Sequence, residues 1–158
     1  MKEADMLSQE VAKGENYTSA RIGEFSGLDD YKFAHPELSF EVDGKIFLNS
    51  LLDLTSVEIS INKLPPKASM PFHHEHQNNE EIYIFIKGLG EFQVDDHIFP
   101  VNEGTVIRVA PEGVRCWRNL SNEPLYYIVV QAPVGGYGKS KTIEDGKAVK
   151  VPFHWKIS

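Results

Sequence analysis

Between Val57 and Ala132 the chain repeats one texture: short apolar runs, each cut off by turn-forming residues. Val57, Ile59 and Ile61 alternate with Glu58, Ser60 and Asn62, the period of two that gives an extended segment two unlike faces. Pro65-Pro66 ends that segment. The run Ile82-Tyr83-Ile84-Phe85-Ile86 is β-branched and aromatic, and Gly88 and Gly90 punctuate its end. Glu91–Val94 and Ile98–Val101 flank Asp95-Asp96-His97, which reads as a hairpin. Thr105–Val109 and Tyr126–Ala132 are further apolar strands, separated by a segment rich in Asn, Glu and Pro. Helix is confined to two places. One is a turn near Asn49 to Leu52, with Asn49 or Ser50 as its cap. The other is residues 1–16, where Leu7 and Val11 permit a short helix as readily as a frayed end. Many short strands at near-regular spacing predict an all-β sandwich or barrel.

At 158 residues the chain is long enough for one such domain with its own core. Sixteen Lys and Arg against 23 Asp and Glu leave a formal charge of -7, which argues against a nucleic-acid or polybasic membrane surface. One cysteine excludes an internal disulfide framework. The opening residues contain no apolar run of the signal-peptide kind, so a cytoplasmic location is expected.

The chemistry is concentrated in Pro71-Phe72-His73-His74-Glu75-His76-Gln77-Asn78-Asn79-Glu80-Glu81, which holds three of the six histidines. In an extended segment His74 and His76 share a side, while His73 and Glu75 face the other. Glu81 opens the next strand and could return to the same place. Two imidazoles and a carboxylate can hold a divalent transition metal. A solvated polar loop is the plain alternative.

These residues resemble the cupin family. His74-x-His76, four residues, Glu81, six residues and Gly88 reproduce the tail of the first cupin motif, with Ala68 where its leading glycine is expected. Gly104 and Asn119 fit the second motif in register, and Pro111 and Gly113 follow one position late. The resemblance covers roughly residues 57–131. It implies a jelly-roll barrel with its metal inside. Residues 51–135 would form the barrel, 1–50 an extension packing on it and 136–158 a C-terminal segment. It also implies a homodimer, since cupins commonly pair.

One departure bears on function. The second-motif histidine, normally a further ligand, falls at Arg115, which has no lone pair to offer a metal. Cys116 is adjacent, but alternation turns it from the face that Arg115 and Trp117 share. His74, His76 and Glu81 would then be three ligands with open positions, for iron, manganese, nickel or zinc. Arg115 would clamp a substrate anion with its planar fork. The alternative pairs Arg115 with Glu81 or Glu80 in a barrel without metal. Tyr83 and Phe85 share Glu81's parity; Tyr83, Trp117 and Gln131 are expected to wall the pocket.

Two function classes stay open. One is a metal-dependent oxygenase or isomerase acting on a small, anionic molecule. The other is a cupin that binds or senses such a ligand without turnover. Gly135-Gly136-Tyr137-Gly138-Lys139-Ser140 ends like a phosphate loop, but Pro133 stands where its first glycine belongs and no helical pattern follows. His35, His97 and His154 are expected in structural or surface roles.

Overall fold

The computed structural model describes residues 10–36, 38–138 and 144–152. Twelve strands dominate these residues. Two N-terminal hairpins come first: β1 (Val11–Gly14) with β2 (Tyr17–Ala20), then β3 (Lys32–Ala34) with β4 (Glu41–Asp43). A 3-10 turn, Phe25–Asp30, joins them. After β5 (Lys45–Phe47) and the single helical turn α1 (Asn49–Leu52) come β6 (Glu58–Leu64), β7 (Asn79–Lys87), β8 (Leu89–Val94), β9 (His97–Asn102), β10 (Val106–Val109), β11 (Arg115–Arg118) and β12 (Leu125–Pro133). One sheet has the order β10-β7-β12-β6-β5, and a second, β11-β8-β9, completes the jelly roll. The long β7 and β12 pair over most of their length, as apolar strands without internal proline or glycine can.

Strand parity fixes what faces inward. Glu81, Tyr83 and Phe85 of β7, Tyr127 and Val129 of β12, and Arg115 and Trp117 of β11 are buried. Around them Leu64, Phe92, Val101, Val109 and Leu125 close one core, in which Phe92 stacks on Trp117 with ring centroids 5.6 Å apart. Ile46, Ile61 and Ile128 have the opposite parity. They meet Leu28, Ile22, Phe25 and Tyr31, so the N-terminal segment covers the outer face of the large sheet. Burial of this second apolar face explains why the strands read as continuously hydrophobic rather than alternating.

Several local expectations are corrected. The first residue of α1 is preceded by Leu48, which makes no side-chain cap; Asn49 instead donates from its side-chain amide to the carbonyls of Leu54 and Val57. Val11 lies in a strand, and Leu7 falls outside the described residues. The hairpin turn is Asp95-Asp96, with Asp95 at φ 51°, and His97 opens β9. β5 pairs with β6, so Lys45–Phe47 belong to the large sheet. No strand or helix follows Pro133 among the described residues; Lys139, Ser140 and His154 lie outside them. Among the described residues no helix is long and apolar enough to cross a membrane.

Two motif residues have structural reasons. Gly88 takes φ 103°, and a Cβ there would stand 2.5 Å from the Pro124 carbonyl oxygen, so only glycine fits the β7–β8 turn. Asn119, fully buried, donates to the carbonyls of Leu64, Pro65 and Glu123 and accepts from the Ser121 backbone N–H and hydroxyl. Asn119→Ala leaves those buried carbonyls unpaired and is expected to cost about 2–4 kcal/mol. Urea unfolding of the variant checks this; a change within experimental error contradicts it.

Candidate metal centre and cavity

The histidine segment runs beside β11 as an irregular strand. Backbone bonds link Met70 N–H to the Trp117 carbonyl, His74 and Arg115 to each other in both directions, and His76 N–H to the Pro111 carbonyl. His74 and Arg115 are thus direct antiparallel partners and share a face. Phe72, His74 and His76 are half-buried, while His73 and Glu75 between them are exposed, as the alternation predicts. Glu81 reaches the same place from β7, where Gln131 of β12 stands directly opposite it.

The three side chains converge. Each of His74, His76 and Glu81 offers one ligand atom, all within 4.8 Å of one another. Nε2 of His76 is 3.1 Å from Oε1 of Glu81, and Nε2 of His74 is 3.7 Å from Oε2. Two ligand atoms bonded to one ion at about 2.1 Å stand roughly 3.0–3.4 Å apart. The His76–Oε1 spacing lies in that range. Nδ1 of His74 is buried without a partner, so Nε2 is the nitrogen this ring presents.

Arg115 departs from its expected role. Its side chain is inside the barrel and fully buried, but it does not line the cavity. Nε and Nη2 donate to Oε2 of Glu81 at 3.1 and 2.8 Å, and Nη1 donates to the carbonyls of Gly113 and Pro111 at 2.8 and 3.3 Å. The one-residue displacement of Pro111 and Gly113 thus supplies two backbone acceptors for the guanidinium. The guanidinium is thus directed at Glu81 and two backbone carbonyls rather than at the cavity, where a clamp on substrate was expected. Of the two pairings the sequence left open, Glu81 is the partner; Glu80 instead accepts from Arg108 at 2.6 Å.

The two Glu81 oxygens therefore have separate tasks. Oε2 accepts from Arg115 and from the buried Tyr83 hydroxyl. Oε1 faces His76 and the Gln131 amide, which is 3.3 Å away. Burial pushes the Glu81 carboxyl up. Hydrogen bonds from His74, Tyr83 and Arg115, with the guanidinium's charge, outweigh this and hold it well below the ordinary carboxylate range. Burial likewise drives His76 below the ordinary imidazole value against the pull of Glu81, which favours a neutral, ligating ring. Burial and the neighbouring Glu81 push the Tyr83 hydroxyl far up, so it stays a donor. Two imidazoles and a fixed carboxylate are a donor set that suits a divalent ion. Anchoring of Oε2 by Arg115 leaves Oε1 available to it.

A cavity of about 640 Å³ opens beside these groups. Tyr83, Trp117 and Gln131 line it, and Gln131 also stands 3.0 Å from Nε2 of His76. Cys116 points away from it, its thiol directed to the Met70 carbonyl. Sequence reasoning missed the opposite wall: Phe33, His35 and Val42 from the second N-terminal hairpin and its loop, and Lys45 and Phe47 from β5. These residues lie outside both motifs. The alternation of Lys45, Ile46 and Phe47 was the one local sign that two of them share a face.

Known proteins share this fold. The Cupin domain family matches residues 60–131. A crystal structure of a cupin protein from Bacteroides fragilis is 34% identical, covering 73% of this chain and 96% of its own, with a TM-score of 0.63. A sugar phosphate isomerase of the cupin superfamily from Silicibacter pomeroyi is 19% identical over 56% of this chain and 59% of its own (TM-score 0.51), a likeness of fold. An uncharacterized protein of Methanocaldococcus jannaschii is 28% identical over 79 residues; the match spans 50% of this chain and 63% of that relative. A double-sheet barrel bearing both motif spacings, with a relative matched over nearly its whole length, places this chain in the cupin superfamily.

Proposed function

We propose that this cupin holds one divalent transition metal (iron, manganese, nickel or zinc) on His74, His76 and Glu81, and binds and converts a small anionic molecule in the adjoining cavity. The carrying observation is the convergence of two imidazole nitrogens and one carboxylate oxygen at the cavity wall. A bound metal of this kind supplies Lewis acidity toward a ligand oxygen, and iron or manganese adds oxygen chemistry. The chain's own residues do the rest. Arg115 and Tyr83 fix the Glu81 carboxylate, Gln131 puts an amide beside His76 and Glu81, and Trp117, Met70, Phe72 and Val129 exclude water from the wall. His35 places a proton-carrying group in the same cavity, which supports turnover by an oxygenase or isomerase.

Binding or sensing without turnover is the second reading. Glu58 favours it: although it lines the cavity, it accepts from the backbone N–H groups of Asn49 and Ile59 and is not poised as a base. The test is incubation of metal-loaded protein with sugar phosphates and small carboxylic acids, following oxygen uptake and isomer formation. Sugar phosphates belong in that set because the Silicibacter relative carries them in its name. Metal-dependent conversion supports the enzyme; saturable binding with no conversion selects the sensor.

The protein is proposed to work as a cytoplasmic homodimer. Ile98 on the edge strand β9 and Val106 on the edge strand β10 are exposed, an apolar provision for pairing. Light scattering is expected to return twice the chain mass of 17.8 kDa, and a monomer at micromolar concentration contradicts it.

A further inference from the structure

We propose that Lys45 is the anion anchor of the cavity, its ammonium receiving the carboxylate or phosphate group of the ligand. This rests on the reading of the cavity as a small-anion site, and is independent of the metal. Strand β5 pairs with β6 so that Lys45 lies opposite Asn62 and Phe47 opposite Ser60. Ile46 between them is buried on the outer side of the sheet. Lys45 and Phe47 are thereby committed to the cavity face.

The ammonium is positioned but not neutralised. Nζ sits 4.7 Å from the centroid of the Phe47 ring and 5.7 Å from that of Phe33. Aromatic faces hold a cation in place without engaging its N–H groups as a carboxylate would. Three other lysines of the described residues show the contrast: Lys13, Lys32 and Lys63 each have an aspartate partner, Asp53, Asp43 and Asp29. Lys45 has no ion-pair partner among the described residues, although Glu58 and Glu81 line the same cavity. Burial lowers its pKa against the pull of those two carboxylates, the direction expected of a cation in want of a counter-charge. A ligand anion supplies it.

The assignment also resolves the charge pattern of the site. Arg115, the other cation near Glu81, is fully buried against Glu81 and two carbonyls and does not line the cavity. The cavity volume falls within the roughly 300–1,000 Å³ usual for small-molecule sites. A small carboxylate or phosphate ester held at Lys45 would keep the rest of its body beside the histidine pair. Phe33 of β3 and Lys45 of the edge strand β5 would then set which anion the cavity accepts.

The test titrates the full chain with inorganic phosphate and with succinate, metal-loaded and after chelation, by calorimetry. The parent is expected to bind at least one of them saturably, and the preferred probe separates phosphate from carboxylate ligands. Lys45→Met should weaken that binding at least about tenfold. Lys45→Arg should keep it within about threefold, because the positive charge remains. Metal content should not change in either variant. Equal affinity in Lys45→Met and parent, or a parent that binds neither probe at millimolar concentration, overturns the anchor. Should Lys45→Met fail to fold, acetic anhydride labelling of the parent decides: the probe should slow Lys45 acylation and leave Lys32 unaffected, and no protection overturns the proposal. The metal reading fails separately. Lys45-dependent anion binding by a protein that takes up no metal removes the metal and keeps the anchor. Normal metal loading with anion binding indifferent to Lys45 does the reverse.

Discussion

His76→Ala is expected to leave the protein without bound transition metal while it remains folded. With only three protein ligands there is little redundancy, and removing one leaves a pair that water outcompetes. The fold should tolerate the change. The His76 side chain is about a quarter exposed, and Glu81 keeps Arg115 and Tyr83 as partners, so the stability cost should stay within about 1 kcal/mol. Gln131→Ala provides the comparison: its amide meets Nε2 of His76 and Oε1 of Glu81, the atoms a metal would take, so it is not itself a ligand and its loss should leave the metal bound. In the parent, metal should remain bound at neutral pH and leave as pH falls below 6.5, because His76 titrates below that ordinary imidazole value. Elemental analysis after reconstitution reads all three. Unchanged metal in His76→Ala contradicts the ligand assignment.

Arg115→Met is expected to have the largest effect on stability, a loss of roughly 3–5 kcal/mol at neutral pH. The variant strands the Glu81 carboxylate in the barrel without the cation that balances it, and frees the Gly113 and Pro111 carbonyls as well. The pH dependence follows from the direction of the Glu81 shift. In the parent its folded pKa is depressed, so its contribution is fully present above the ordinary value of 4.5 and is lost as pH falls toward the folded value. Without Arg115, two of the influences that hold the Glu81 carboxyl down are lost, while burial and the bonds from His74 and Tyr83 remain, so the folded pKa moves up toward the ordinary value. The variant should therefore lose less stability than the parent on acidification. Urea unfolding at several pH values checks the shallower dependence; parallel curves for parent and variant contradict it. Arg115→Lys keeps the charge but not the planar fork, and should fall between the two.

The strands that alternate or run apolar were legible in the sequence, and so was the triad, because residues two apart on a strand share a face regardless of tertiary context. Strand β11 was legible only through the motif: Arg115-Cys116-Trp117-Arg118 has no apolar run, and it is a strand because β8 and the histidine segment pair with its two sides. The sense of β6 was open for a similar reason. Its apolar residue Ile61 packs outward under the N-terminal segment, while polar Glu58 and Ser60 face the cavity. Which face is inside depends on what covers the other. That Arg115 points inward was readable from register; its partner was not, since Glu81 lies 34 positions away and competes with any ligand for the same donors. Lys45 carries no motif at all. Only the β5–β6 register and the aromatic pair beside its ammonium reveal it.

The central claim is that His74, His76 and Glu81 form a metal centre. Its most direct test is elemental analysis of the parent, purified without chelators or a metal-affinity tag and then offered iron, manganese, nickel and zinc in turn. The account predicts retention of about one ion per chain of at least one of these metals after exhaustive dialysis at neutral pH. A protein that emerges metal-free from all four contradicts it, and leaves Arg115 and Glu81 as the buried ion pair of a barrel that binds its ligand without metal.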